Sequence, residues 1–466
     1  SKDKSIVSKR GVKMKLVHEG KKDVCIRVVD TNDASFDKIR GQNIEPGKAG
    51  DIFPYINSEK EIEILVFIGN KKKKNIEAFY KAYKFLEEHN IEEVSIVHEH
   101  LEELFEGFAH AEYKFDKYRK DKKDYELTIS ADETTDETFN RITNIIDGVD
   151  ITRDLVNTPS NDMYPESFCY YCEDIFKDLP VEIEILGKEE IKKLGMKAFL
   201  EVSKGSDKEP KFIILKYMPE KDRDDHLTFV GKGLTYDSGG YAIKDPKGMS
   251  TMKSDMAGAA TVVGTIYALA KNNINVNVVG VSALCENMIN GSSYKNGDII
   301  SSMKGTTIEV GNTDAEGRVT LADSIYYSAT KLNSRVIVDL ATLTGACIVS
   351  LGSYVSGIVS NNDNLSDSII DASLRADENM FRFKVFDEHR EMIKGKFGDI
   401  KNSVAGGAGA ITAGLFLEEF VENIPWAHLD IAGPAFQENE HSYLPIGATG
   451  IPVRTLYEFA KSESER

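Results

Sequence analysis

The chain is poor in cysteine: Cys25, Cys169, Cys172, Cys285 and Cys347 are the five in 466 residues. An odd, sparse set does not build a disulfide framework and fits a reducing compartment. Cys169 and Cys172 form a C-x-x-C pair in FCYYCED, but no second pair or nearby histidine completes a zinc site. The pair therefore reads as two small apolar residues on one face of a helix that follows Pro165. No apolar run reaches the ~18 residues a membrane helix needs. The first residues, SKDKSIVSKRGVKMK, carry no signal-peptide core, and the missing starting Met leaves room for a processed leader. Positive charge is also in deficit: 58 Lys and Arg against 76 Asp and Glu give a net charge of −18. Such a field disfavours nucleic acid as the main partner. The lysine run NKKKKN, Asn70 to Asn75, is a local exception that reads as a solvated turn between the strand EIEILVFIG and the helix NIEAFYKAYKFLEEH. Two catalytic signatures are missing. No H-E-x-x-H occurs among the nine histidines, and His98 and His100, in HEH, read as surface residues at a strand end. Ser238 sits in YDSGG rather than G-x-S-x-G, so no nucleophile elbow is indicated.

What is present describes a globular α/β chain. Hydrophobic residues make up 41% and charged residues 29%, and the length accommodates two domains. Up to about residue 145 the pattern is a mixed α/β unit, with strands DVCIRVVD, EIEILVFIG and EEVSIVHEH, and a surface hairpin or loop near 113–130. DETFNRITNIIDGVDITRDLVNTP has apolar residues at helical spacing and reads as a connecting helix that ends near Pro159, its 146–159 portion joining the two domains. From residue 160 to 466, strands such as KFIILKYM, LTFVGKG, VNVVGVSAL, TTIEVGN, RVIVDLATL and WAHLDIAG alternate with helical stretches. The expected fold is two domains, each a mixed or mostly parallel sheet flanked by helices, with the catalytic centre at the strand carboxyl ends of the second.

Polar residues gather at three such ends. GKGLTYDSGGYAIK offers Lys232, Asp237 and Lys244; MKSDMAGAA offers Asp255 before a small-residue helix; NTDAEGR offers Asp314, Glu316 and Arg318. Residues two apart do not share a helix face but do line up on an extended segment, where two carboxylates repel unless positive charge intervenes. Together Asp237, Asp255, Asp314 and Glu316 could surround one or two divalent cations, and an all-oxygen set suits Mg²⁺, Mn²⁺ or Zn²⁺. Each of these residues taken alone also reads as a turn, a cap or a solvated lysine. A phosphate cradle stays open as an alternative, although GKGLTYDSGG lacks the spacing of a phosphate-binding loop.

NTDAEGR, GKGLTYDSGG, SDMAGAA, CENM, DLATLTGA and VNTPSN, spread over the second half, resemble the leucyl aminopeptidase family of dinuclear metallopeptidases. The resemblance implies that Lys232, Asp237, Asp255 and Glu316 hold a tighter metal, and that Asp237, Asp314 and Glu316 hold an exchangeable one, with Zn²⁺, Mn²⁺, Co²⁺ or Mg²⁺ as candidates. A lysine ligand must be the neutral amine, which two adjacent cations would favour. Lys244 would polarise the scissile carbonyl, and Arg318 would anchor a bicarbonate ion acting as general base. Met252, Thr342, Gly345, Ala432 and Ala435 would line the first side-chain pocket; the Leu343 carbonyl and the Gly345 amide would align the substrate backbone. A bridging water acidified by both ions would attack the first peptide bond. Further implications are short peptides as substrates, preference for leucine and other apolar residues, a cytoplasmic location without membrane or nucleic-acid partners, and a homohexamer, a dimer of trimers, in which the first domain serves assembly and substrate access. Tyr236 and Ala257 depart conservatively from the family pattern, and Ala435 stands where some relatives carry a larger residue, which would widen the pocket.

Overall fold

The computed structural model describes residues 14–465 apart from 19, 33–46 and 58. It divides into two compact units. One comprises Asp147–Asn439 with Ile446–Arg466; the other holds the described residues up to Ile146 together with Glu440–Pro445.

The N-terminal unit is built on a six-stranded sheet of β1 (Met14–Val17), β2 (Val24–Asp30), β3 (Ile52–Ile56), β4 (Ile62–Ile68), β5 (Glu93–Ile96) and β6 (Leu127–Ser130). Its order is β1-β6-β5-β2-β4-β3, parallel except for β3. The lysine run is not a turn. The helix Lys72–Glu88 starts inside it, with no acidic residue in the first turn. Buried Asn75 anchors this start by bonding both the N–H and the C=O of Gly69. A helix at Leu101–Glu112, absent from the sequence reading, follows at once and buries Leu104, Phe105, Phe108 and Ala109. Residues 113–126 are irregular, and no hairpin forms, because β6 pairs in parallel with β1 and β5. The connecting helix Asp136–Asn157 spans the boundary between the units. His98 and His100 lie on an exposed turn after β5.

The C-terminal unit contains β7 (Glu182–Leu186), β8 (Lys211–Tyr217), β9 (His226–Gly231), β10 (Gly233–Asp237), β11 (Val278–Asn287), β12 (Ile299–Ser301), β13 (Thr307–Glu309), β14 (Ser334–Ala341), β15 (Ser356–Ser360), β16 (Met380–Arg382), β17 (Ile400–Lys401) and β18 (Trp426–Asp430). The main sheet runs β16-β15-β18-β14-β9-β11-β8-β7, with β10 added beside β11. Its centre, β18-β14-β9-β11, is parallel. β9 and β11 are buried at every residue, as expected of parallel strands covered on both faces. The helices Ala257–Lys271, Asp363–Ala376 and Val453–Ser464 pack as one set; Lys197–Ser203, Glu316–Lys331 and Gly409–Glu418 form the other, over the core that includes Val230, Val281, Ile325, Ile337 and Trp426. The expectation for TTIEV needs correcting: β13 belongs to a separate three-stranded sheet with β12 and β17. Cys169 and Cys172 are buried on the helix Pro165–Phe176, where burial raises both thiols.

Candidate metal centre

The carboxyl ends of β9, β10, β11 and β14 converge with the N-termini of two helices. Lys232 follows β9, Asp237 ends β10, and Asp255 stands two residues before the helix Ala257–Lys271. NTDAEGR is not extended. Asp314 N donates to Asn312 Oδ1 at 2.8 Å and Ala315 N to Asn312 O at 3.1 Å, which closes a turn; Glu316 then opens the helix Glu316–Lys331. The two acids thus reach one centre from a turn and from a helix N-terminus, where the backbone dipole favours a negative side chain. The helix also starts three residues earlier than the apolar pattern indicates, so Arg318 lies in its first turn.

Asp237, Asp255 and Glu316 are buried, and each offers an oxygen within 4.8 Å of the other two. Lys232 is buried among them, 2.8 Å from Asp255 Oδ1 and 2.9 Å from Glu316 Oε1, and it donates to Thr342 O at 3.1 Å. Lys244 lies 2.6 Å from Asp314 Oδ1 and 3.1 Å from Asp237 Oδ2. Burial raises the acids: Asp255 is pushed up to about 6 and Glu316 well above the usual carboxylate range, with Asp237 adding to both. Burial opposes the charge on Lys232, but Asp255, Glu316 and Asp237 outweigh it and raise its pKa. Against these carboxylates alone Lys232 is therefore an ammonium; a cation on the same oxygens repels that charge and favours the amine.

The residues fit divalent cations. Asp255 Oδ2 and Glu316 Oε2 are buried without a hydrogen-bond partner, and desolvated carboxylate oxygens of this kind are the donors that hard divalent ions take. Arg318 is half-buried; burial lowers it to about 10 against the attraction of Glu316 and Asp430, and its Nε has no hydrogen-bond partner. That leaves a cationic donor for a small anion.

The residues assigned to substrate lie on the neighbouring strand exits. Thr342 Oγ1 donates to Asp255 Oδ1 at 2.9 Å, and Met252 opens the short turn that ends at Asp255. Leu343 N and Ala432 N both point to Asp430 Oδ1, at 3.4 and 3.2 Å. Gly345 begins the helix Gly345–Leu351, with open space where a side chain would start. Ala435 is buried and accepts from Thr449 N.

Sequence reasoning assigned no part to several residues that build this centre. Asn287, inside CENM, donates to Asp237 Oδ1 at 2.8 Å and to Thr313 O at 3.1 Å, so it orients one acid and fixes the turn that carries Asp314. Thr313 Oγ1 accepts from Ala242 N and donates to Gly239 O, both at 2.8 Å, and so ties the Lys244 loop to the same turn. Gly317 gives Lys232 its space: a Cβ there would lie 2.3 Å from Lys232 Cε and 2.6 Å from Nζ. Gly258 does the same for the strand end, since its Cβ would meet Leu340 O at 2.2 Å and Lys232 N at 2.7 Å. A single glycine or amide in a motif does not name its neighbour, so only the fold brings these pairs out.

The pattern of the cytosol aminopeptidase family's catalytic domain matches residues 150–457. The chain belongs to the cytosol aminopeptidase family. Membership makes it a peptide hydrolase of the metallo-aminopeptidase kind, with divalent metal ions as cofactors. It is 43% identical over 456 residues to a probable cytosol aminopeptidase of Clostridium tetani, covering 93% of this chain and 95% of that one. It is 39% identical over 482 residues to one of Treponema denticola, covering 99% of both. Among solved structures it resembles the bottromycin maturation enzyme BotP in complex with Mn, with a TM-score of 0.86 at 27% identity over 95% of this chain and 99% of that one. Among the described residues no helix is long and apolar enough to cross a membrane.

Proposed function

We propose that the chain is a cytoplasmic metallo-aminopeptidase that releases N-terminal residues, preferentially leucine and other apolar ones, from short peptides with the help of two divalent cations, Zn²⁺ or Mn²⁺ with Co²⁺ or Mg²⁺ as alternatives. The observation that carries this reading is the cage in which Asp237, Asp255 and Glu316 present oxygens within 4.8 Å of one another beside two lysines. In this assignment Lys232, Asp237, Asp255 and Glu316 hold one cation, and Asp237, Asp314 and Glu316 the other. Bound cations supply the Lewis acidity that makes a water nucleophilic near neutral pH and take up the free α-amine of the peptide.

The chain's own groups do the rest. Lys244 donates to the oxygen of the scissile carbonyl as negative charge builds on it. Arg318 would hold a bicarbonate ion, which would supply a base for the proton that leaves the attacking water for the amine. Leu343 O and Gly345 N align the peptide backbone; Met252, Thr342, Gly345, Ala432 and Ala435 receive the first side chain. The small Ala435 supports acceptance of several apolar residues rather than leucine alone.

The test uses metal-stripped full-length protein on aminoacyl-coumarin and nitrophenyl phosphate substrates. Chelation is expected to abolish aminoacyl hydrolysis, and Mn²⁺, Co²⁺ or Zn²⁺ to restore it, without phosphate release. Full activity after stripping, or phosphate hydrolysis alone, would overturn the reading.

We place the catalytic domain at 160–466 and a domain of assembly and substrate access at 1–145, joined by the 146–159 part of the long helix, in a homohexamer formed as a dimer of trimers. Large apolar side chains at the surface of the catalytic unit, Val349 at 90% and Phe397 at 82% exposure, support burial against other copies. Sedimentation is expected at the mass of six chains; a stable monomer at assay concentration would contradict the assembly.

A further inference from the structure

Two exits of the central sheet, after β14 and after β18, carry the residues assigned to the substrate's first side chain. One side chain joins them. Asp430, the last residue of β18, is 2% exposed and is not among the acids that face the cations. Its Oδ2 accepts from Thr344 Oγ1 at 2.7 Å. Its Oδ1 accepts from Leu343 N at 3.4 Å and from Ala432 N at 3.2 Å. The far end of the same segment is tied to the cage, where Thr342 Oγ1 reaches Asp255 and Thr342 O receives Lys232. Thr344 Oγ1 in turn accepts from Cys347 N at 3.0 Å and caps the helix Gly345–Leu351.

Beneath Asp430 the support is rigid. Trp426, His428 and Asp430 alternate along one face of β18. Trp426 Nε1 donates to Asp339 Oδ2 at 2.6 Å, and His428 Nδ1 bonds Asp339 Oδ1 at 2.5 Å, with all three side chains fully buried. Burial opposes a charge on His428, but Asp339 outweighs it and raises its pKa; burial likewise raises Asp430, against the attraction of His428. A buried carboxyl group with three donors from two different strand exits is held in one place, and so are the donors.

We propose that Asp430 is the positioning residue that clamps Thr342–Gly345 to Ala432 and thereby sets the width of the cleft that receives the first side chain. The inference rests on the aminopeptidase reading for the identity of the ligand, but not for the clamp. Without the carboxylate, Leu343 N, Ala432 N and Thr344 Oγ1 lose a shared acceptor, and the two exits separate. An asparagine retains most of the clamp: its amide oxygen accepts from Leu343 N and Ala432 N, and its NH₂ donates to a Thr344 hydroxyl that has turned to accept.

The experiment compares manganese-loaded full-length protein with Asp430→Ala, Asp430→Asn and Thr344→Val. It measures kcat and KM on alanyl-, leucyl- and phenylalanyl-coumarin, the Kd for free L-leucine by calorimetry, and manganese affinity by equilibrium dialysis. Asp430→Ala is expected to raise KM and the leucine Kd by about tenfold, to flatten the preference among the three substrates, and to leave kcat and manganese affinity near the parent values. Asp430→Asn is expected to restore most of the loss. If Asp430→Ala does not fold, Thr344→Val decides, with a smaller rise of KM at constant kcat as the expected result. Parent KM and selectivity in the folded variants, a loss of manganese instead, or no rescue by Asp430→Asn would overturn the proposal. If the parent cleaves none of the substrates but binds L-leucine, the aminopeptidase reading fails while the leucine Kd still decides for or against the clamp; if it also binds no L-leucine, the cleft assignment and the clamp proposal both fail.

Discussion

Lys244→Ala is expected to lower kcat by about 10²–10³, with KM changed by less than about threefold. The ammonium sits at the solvent side of the cage, 19% exposed, where a substrate carbonyl can approach it. Burial opposes its charge, but Asp237, Asp314 and Glu316 more than compensate and raise its pKa, so against these acids it is an ammonium. Its charge is needed most when the carbonyl oxygen becomes an oxyanion, which places the loss in kcat. A competing account makes Lys244 a structural counter-ion for Asp237 and Asp314. The two differ in metal affinity. Removing a cation 2.6 Å from Asp314 and 3.1 Å from Asp237 leaves those acids freer to bind metal, so manganese affinity should hold or rise in the variant. Unchanged turnover would refute the catalytic role; a loss of manganese binding parallel to the loss of activity would support the counter-ion.

The second large effect comes from a residue without a side chain. Gly→Ala inside a helix ordinarily stabilises by about 1 kcal/mol. Gly317→Ala is expected to reverse that benefit at the site. The new Cβ would lie 2.3 Å from Lys232 Cε and 2.8 Å from its Cδ. The Lys232 backbone cannot retreat, because its N–H is bonded to Leu340 O at 3.0 Å and its C=O to Ala259 N at 2.9 Å. The flexible end of the side chain must leave the cage instead. The protein should fold, with a Tm within a few degrees of the parent, yet lose about 10- to 100-fold in manganese affinity, as when the support of a metal ligand is removed. Activity at limiting metal should fall with it. Parent affinity measured by equilibrium dialysis would show that Lys232 has no part in holding the ion.

Much of this arrangement is legible in the residues themselves, and the exceptions have a common cause. β9, β11 and β18 are buried at every residue and β14 over its last five, and each is rich in apolar residues, so their existence follows from pattern alone. Lys232 just after β9 and Asp237 at the end of β10 are conspicuous, since polar residues after a buried strand fall at the sheet's edge. Sheet membership is less visible: TTIEV has a strand pattern, but its partners β12 and β17 are both short, and β17 is distant in sequence. The local shape of NTDAEGR is likewise hidden, because Glu316 gains from a helix N-terminus that its own neighbours do not advertise. At the lysine run the reading fails for a related reason. Four lysines at a helix start oppose the backbone dipole, and the apolar contacts of Ile76, Phe79 and Tyr83 further along override that local preference. Asn287, Thr313, Gly317 and Asp430 act through partners that lie far away along the chain. Their spacing carries no sign of those partners.

Anomalous X-ray scattering at the manganese and zinc absorption edges, from crystals grown with those ions, tests the central claim most directly. The account predicts two peaks per chain, enclosed by Asp237, Asp255, Asp314, Glu316 and Lys232, with Lys244 beside them and not coordinated. Crystals grown with ample metal that show no peak among these side chains, or a peak elsewhere in the chain, would contradict it.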